Sequence, residues 1–233
     1  MNKESYFKIL ENVFLTYGDL KKVSVVESGE KMISLREQNI HFSLPDGLIS
    51  PSTGNDIFVR ESVVEKLREA QSNLDKIMNG YVIDVVYGYR SLQIQKESYQ
   101  KIKNDLKVTS SDFNDENLLN EAVHRFVAVP EVAGHPTGGA VDVRILDKDE
   151  NELDMGTKAH EFSSESYTFN PFLTKDVWLN RQKLRQSMLS AGFAPFDGEW
   201  WHFSYGDKEW AAYYQEPFAK YEQIEFTTKK TDL

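Results

Sequence analysis

No cysteine occurs in the 233 residues. That excludes a disulfide framework, a thiolate metal site and a cysteine nucleophile, so any metal has to be held by His, Asp or Glu. Positive charge is also in short supply: 27 Lys and Arg stand against 37 Asp and Glu, a formal net charge of -10. A chain without a basic face lacks the counterion release that dominates nucleic-acid binding, so no nucleic-acid partner is expected. Long apolar runs are missing as well. The opening MNKESYFKILENVFLTYGDLKKV breaks its apolar residues with charges at short intervals, unlike a secretory signal, and no stretch has the length of a membrane span. A cytoplasmic protein without a membrane span is the expectation. What the chain does have is 40% apolar residues and 12% aromatics, enough to fill the core of one sizeable domain or two small ones.

The stretch NIHFSLPDGLISPSTGNDIF, residues 39 to 58, is rich in Pro, Gly, Ser and Asn and reads as a loop region. It divides an N-terminal segment, 1–58, expected to pack on the core, from the main domain, 59–233, the two forming one compact unit. Between Arg60 and Met78 the apolar positions Val63, Leu67, Ala70, Leu74 and Ile77 recur at helical spacing, and Asn79-Gly80 supplies a stop. YVIDVVY, residues 81 to 87, reads as a strand that leads into GYRS; Arg90 then sits at a strand end, and Ser91 caps a helix running to about Asn104. A further helix beginning near Asp115 carries Leu118, Leu119, Ala122, Val123 and Phe126 and ends before Pro130.

AVDVRIL, residues 140 to 146, reads as a strand, followed by DKDENELD as a polar connection. Val177, Leu184, Met188 and Ala191 share a helical face closed by Gly192, and EWWHFSY reads as a strand after an Asp197-Gly198 turn. Strands and helices mix without regular βαβ alternation, which predicts an α+β fold with a small antiparallel sheet flanked by helices.

Chemistry concentrates in GHPTGGAVDVRI, residues 134 to 145, and in GEWWHFSY near the C-terminus. Taken alone, His135 and Asp142 read as a loop histidine and a hydrogen-bonded strand aspartate. Glu199 and His202 change the balance by adding a carboxylate and a second imidazole. Catalytic zinc commonly takes three His or Asp/Glu ligands and keeps a fourth position open, and His135, Asp142 and His202 supply that set. Residues three apart on a regular strand face opposite ways, so Glu199 is placed in the turn, where its carboxylate suits a base acting on water better than a fourth ligand. The helical H-E-x-x-H of the larger metalloprotease class is absent.

The motif H-x-x-G-x-A-x-D, here His135, Gly138, Ala140 and Asp142, together with E-W-W-H at Glu199 to His202, resembles the D-alanyl-D-alanine dipeptidases of the vancomycin-resistance type. GYRS with Arg90 and DMGT at residues 154 to 157 fit that family's further motifs, so the resemblance runs from roughly Arg60 to Tyr205. It implies a zinc D,D-peptidase (hedgehog/D,D-peptidase-like) fold over the 59–233 domain, one Zn2+ per chain held by His135, Asp142 and His202, and a small peptide substrate containing D-amino acids. It further implies that Glu199 activates a water to attack a zinc-polarised peptide carbonyl and that Arg90 stabilises the developing oxyanion.

Two departures from the family pattern stand out. Ala133 occupies a position that is often serine. The acid that binds the substrate ammonium in the dipeptidases falls on His160 in DMGTKAHEF, so the adjacent Glu161 is the expected replacement. That leaves a zinc D,D- or L,D-carboxypeptidase trimming peptidoglycan peptides as the alternative, with a non-catalytic metal-bearing binding domain behind it. A positioned base at Glu199 argues against the binding domain. His41, His124 and His160 are expected outside the metal set, His124 at the surface or its boundary. Trp200 and Trp201 are expected to pack the core or the pocket wall.

Overall fold

The computed structural model describes residues 2–44, 50–109 and 115–228. Residues 45–49 of the expected loop, and positions 1 and 229–233 of the two expected units, lie outside the described residues. In chain order the elements are α1 (Lys3–Glu11), α2 (Tyr17–Lys21), β1 (Met32–Ser34), β2 (Phe58–Arg60), α3 (Glu61–Ile77), β3 (Val82–Tyr87), α4 (Leu92–Thr109), α5 (Glu116–His124), β4 (Ala140–Leu146), α6 (Lys175–Ser190), β5 (Ala194–Pro195), β6 (His202–Ser204) and α7 (Lys208–Tyr214). The main sheet runs β3-β4-β6-β5, antiparallel throughout, and β1 and β2 form a separate antiparallel pair. This is the α+β architecture that the mixed pattern predicts. No helix among the described residues is long and apolar enough to cross a membrane.

The β1–β2 pair spans the expected 58/59 boundary, because Ser34 pairs with Phe58 and Ile33 with Val59. Residues 41–43 extend the main sheet past β3 through Val85 N–H to the His41 carbonyl and Ser43 N–H to the Val85 carbonyl, both 3.1 Å. On α3, Val63, Leu67, Ala70 and Leu74 are buried as their spacing requires, and the helix packs on α6 through a core that includes Leu184 and Met188. Ile77, expected on the same stripe, is the helix's last residue and is exposed. After β4, DKDENELD turns back at once: Asp147 Oδ1 accepts the N–H groups of Asp149 and Asn151, and Leu153 N–H bonds the Ile145 carbonyl.

The expected strand over EWWHFSY is found only at His202–Ser204. Glu199 N–H bonds the Phe196 carbonyl at 2.9 Å and His202 N–H bonds the Glu199 carbonyl at 3.1 Å, which winds the first three residues into a turn. That turn drives both indoles of Trp200 and Trp201 into the core, edge to face with each other, a burial that outweighs the strand preference of the aromatics.

Candidate metal centre and catalytic cavity

Tyr87, Asp142 and His202 lie abreast on three neighbouring strands, Asp142 being the register partner of Tyr87 on one side and of His202 on the other. Directly opposed residues share a sheet face, so the three side chains converge. Tyr87 reaches that face through a register irregularity between Val85 and Tyr87. The extra residue of a bulge reverses the alternation, placing Tyr87 beside Asp142 rather than in the core with Val85.

His135 comes from a loop. His135–Thr137 is a single 3-10 turn with Pro136 inside it, closed by Gly138 at φ 77. That left-handed backbone favours glycine, and a Cβ on Gly138 would also lie 2.6 Å from Met32 Sδ. Two bonds tie the loop to the β3–α4 connection: His135 Nδ1–H donates to the Gly88 carbonyl at 2.8 Å, and Arg90 N–H donates to the His135 carbonyl at 3.3 Å. A carbonyl only accepts, so the proton sits on Nδ1 and the neutral ring presents its Nε2 lone pair 3.4 Å from Asp142 Oδ2.

Two acceptors facing each other in a buried site repel unless a cation lies between them, and this is the donor set that fits a metal ion. One ligand atom from each of His135, Asp142 and His202 lies within 4.8 Å of the others, and all three residues are buried. His202 Nδ1 is 2.9 Å from Asp142 Oδ1, while its Nε2 is 3.4 Å from Glu209 Oε2.

The electrostatics follow from burial and pairing. Burial brings His135 down to about 4, against the pull of Asp142, so its ring is neutral as a ligand must be. Burial works to raise Asp142, but the imidazoles gathered around it hold it well below the usual carboxylate range. Burial works to lower His202, and Glu209 and Asp142 together overcome it and raise the ring well above its ordinary value. Glu199, in the turn before β6, is pushed up to about 7 by burial, partly offset by His202.

The cavity above this cluster measures about 310 Å³, and its wall includes Tyr87, Arg90, Phe162, Trp201, Glu199 and Glu209. The Arg90 guanidinium lies over the Tyr87 ring at 5.4 Å, and its Nε is buried without a hydrogen-bond partner among the described residues. His135, Asp142, His202, Glu199 and Arg90 are thus gathered on one cavity, and His160 joins them: its Nε2 lies 2.8 Å from Asp142 Oδ2. Glu161 does not join them. It is exposed, its Oε2 accepts Lys158 N–H at 3.3 Å, and it forms no part of the cavity wall. The reason is local: neighbouring side chains leave the backbone in different directions, so with His160 turned to Asp142 the next residue points elsewhere.

His124 corrects the surface reading. It is buried on the cavity wall, its Nδ1 accepts Val129 N–H at 3.3 Å, and burial lowers its pKa. His41 lies elsewhere, with its Nδ1 2.9 Å from the buried Asp84, which also holds Arg144. Sequence reasoning also missed Tyr87 and Glu209. Asp207 caps α7 through Trp210 N–H at 2.9 Å, and recognising that cap would have placed Glu209 in the helix's first turn close behind β6.

The Peptidase M15 family, described as D-ala-D-ala dipeptidase, matches residues 37–224. A D-alanyl-D-alanine dipeptidase of Synechocystis sp. is 28% identical over 191 residues, covering 72% of this chain and 77% of that protein. A D-alanyl-D-alanine dipeptidase of Escherichia coli is 34% identical over 71 residues, 30% of this chain and 37% of that protein. Among solved structures, the LD-carboxypeptidase LdcB is 20% identical with a TM-score of 0.45, over 82% of this chain and 74% of that one.

Proposed function

This chain belongs to the Peptidase M15 family of D-Ala-D-Ala dipeptidases, and from that premise we propose that it hydrolyses the D-Ala-D-Ala dipeptide with zinc held by His135, Asp142 and His202. The observation that carries the reading is the meeting of those three ligand atoms within 4.8 Å on the floor of a cavity whose wall bears Glu199. Bound zinc supplies Lewis acidity toward the scissile carbonyl and toward water.

The chain's own groups do the rest. The Glu199 carboxylate takes a proton from the attacking water as the oxygen–carbon bond forms, and returns it to the departing amine nitrogen as the carbon–nitrogen bond breaks. A carboxyl whose buried site pushes it to about 7 can serve in both directions near neutral pH, whereas a solvated glutamate is too weak a base and holds its proton too loosely. Arg90, fixed over Tyr87, places a permanent positive charge beside the oxygen on which negative charge accumulates. The rings of Tyr87, Phe162 and Trp201 keep bulk water from the reacting bond, which strengthens each of these interactions.

One observation supports a second reading. With His160 at the cavity and Glu161 outside it, the segment after Met155 brings no carboxylate to meet a free substrate amine, which suits a carboxypeptidase acting on longer peptides. The two readings part on one assay: zinc-loaded protein, carrying about one ion per chain, given free D-Ala-D-Ala beside its N-acetyl analogue. The dipeptidase reading expects the free dipeptide to be cleaved, with activity lost on chelation and restored by zinc. Preference for the acetylated substrate moves the protein to the second reading, and no cleavage of either by the loaded protein overturns the dipeptidase reading and the D,D-carboxypeptidase form of the second.

A further inference from the structure

The two histidines of the centre face Asp142 through different nitrogens. His135 turns Nε2 toward Asp142 and gives Nδ1–H to the Gly88 carbonyl. His202 turns Nδ1 toward Asp142, so its outward nitrogen is Nε2, and the group in front of it is Glu209 Oε2 at 3.4 Å. A histidine that ligates through one nitrogen is held in its tautomer and ring orientation by whatever accepts the proton of the other. The backbone carbonyl of Gly88 does this for His135.

We infer that Glu209 does it for His202: it is a positioning residue that holds the proton on Nε2 and keeps the Nδ1 lone pair aimed into the metal centre. The frame around Glu209 is built for a fixed position. Ser204 Oγ, at the end of β6, donates to Asp207 at 2.8 Å, and Asp207 accepts Trp210 N–H, so strand and helix are clamped to each other over a three-residue connection. The Glu209 side chain is only 12% exposed, and its Oε1 is buried without a partner among the described residues. A carboxylate so placed is costly to bury, and the His202 ring is the cationic or proton-donating group at ion-pair distance that offsets the cost. Removing it frees the ring to rotate about its Cβ–Cγ bond and to take the other tautomer, in which Nδ1 carries the proton and cannot ligate.

The inference rests on the zinc reading above, and the experiment separates the two. Zinc affinity is measured by chelator competition for the parent, Glu209→Gln and Glu209→Ala, and the visible spectrum of each cobalt-substituted protein is recorded. Glu209→Ala is expected to bind zinc about 10- to 100-fold more weakly, with a shifted cobalt spectrum. Glu209→Gln keeps an acceptor of the same shape without the charge, so it should fall between Ala and the parent. Parent-like zinc affinity and an unchanged cobalt spectrum in Glu209→Ala overturn the inference; should Ala not fold, affinity in Glu209→Gln equal to or above the parent's overturns it. If the parent itself holds no zinc, the zinc reading is what fails.

Discussion

Along β4, Val141, Val143 and Ile145 face the core, completely buried among apolar neighbours that include Val85 and Phe203. The residues that alternate with them, Ala140, Asp142 and Arg144, face the other way, where Asp142 meets three imidazoles and Arg144 pairs with Asp84 and Glu152. The two faces are stabilised on different terms. On the apolar face each buried area contributes about 25 cal/mol per Å² whatever the identity of the neighbour, so losses are local and graded. On the polar face a buried charge is tolerable only with its partners in place, and one deletion strands the rest. The core face should therefore respond to substitution with altered stability and unaltered chemistry, whereas on the cavity face the chemistry itself should change.

The hardest test of that division is Glu199→Gln. It removes the proposed proton acceptor while keeping the shape of the side chain, so kcat should fall by roughly 10² to 10⁴-fold. The thermal midpoint of the metal-free protein should hold or rise, because a group driven up to about 7 by burial sits more easily as a neutral amide. A variant with parent kcat, or one unfolded at a temperature where the parent is native, breaks the comparison.

Arg90→Lys asks the same question of geometry instead of charge. Lysine keeps the cation but loses the planar fork that stacks on Tyr87, so kcat should drop by about 10²-fold with a modest change in KM. Steady-state kinetics on the free dipeptide decide it. A change confined to KM would reassign Arg90 to uniform substrate binding.

The apolar face answers in the opposite coin with Ile145→Ala, which leaves a cavity in a completely buried site. The expected loss is about 2 to 5 kcal/mol, a fall in midpoint on the order of 10 °C. Zinc content and kcat of the folded fraction should stay at parent values, because Ile145 points away from Asp142. Loss of zinc at a temperature where the variant is fully folded would show that the two faces are coupled.

Which parts of this arrangement were legible in the sequence follows from how local their causes are. AVDVRIL alternates cleanly, and its strand, with Asp142 on the polar face, is found at the residues expected. The Gly and Pro residues around His135 announce a tight turn, and the structure uses Gly138 in that way. The placement of Glu199 in a turn followed from a simple parity argument. Non-local causes were out of reach. A bulge in β3 moves Tyr87 to the cavity face, and nothing in VIDVVY marks the extra residue. The burial of His124 depends on its position across from Tyr17 of α2, a contact between segments over a hundred residues apart. Glu161 follows His160 directly, but neighbouring side chains leave the backbone in different directions, so adjacency does not bring it to the cavity that His160 lines.

The smallest effect tests whether a polar group near the cavity, but without a cation opposite it, is tolerated at a cost. Asp207 is raised from 3.8 to about 6 by burial and then by Glu209, against the Trp210 N–H and the Ser204 hydroxyl that favour its charged form. A raised acid means the folded protein holds the proton more tightly than the unfolded chain. The resulting stabilisation is complete below about 3.8 and is lost as pH rises to about 6. Asn is as good a helix cap and keeps an acceptor for Trp210 N–H, yet it never ionises. Asp207→Asn should therefore gain on the parent between these two pH values, with the gap constant above about pH 7 and at most about 3 kcal/mol. Thermal midpoints of both proteins from pH 4 to 8 measure it. A difference independent of pH would mean that the Asp207 carboxyl is not raised, and a gap that opens on acidification would mean that it is depressed; in either case its burial beside β6 is offset by a partner, as that of Asp142 is.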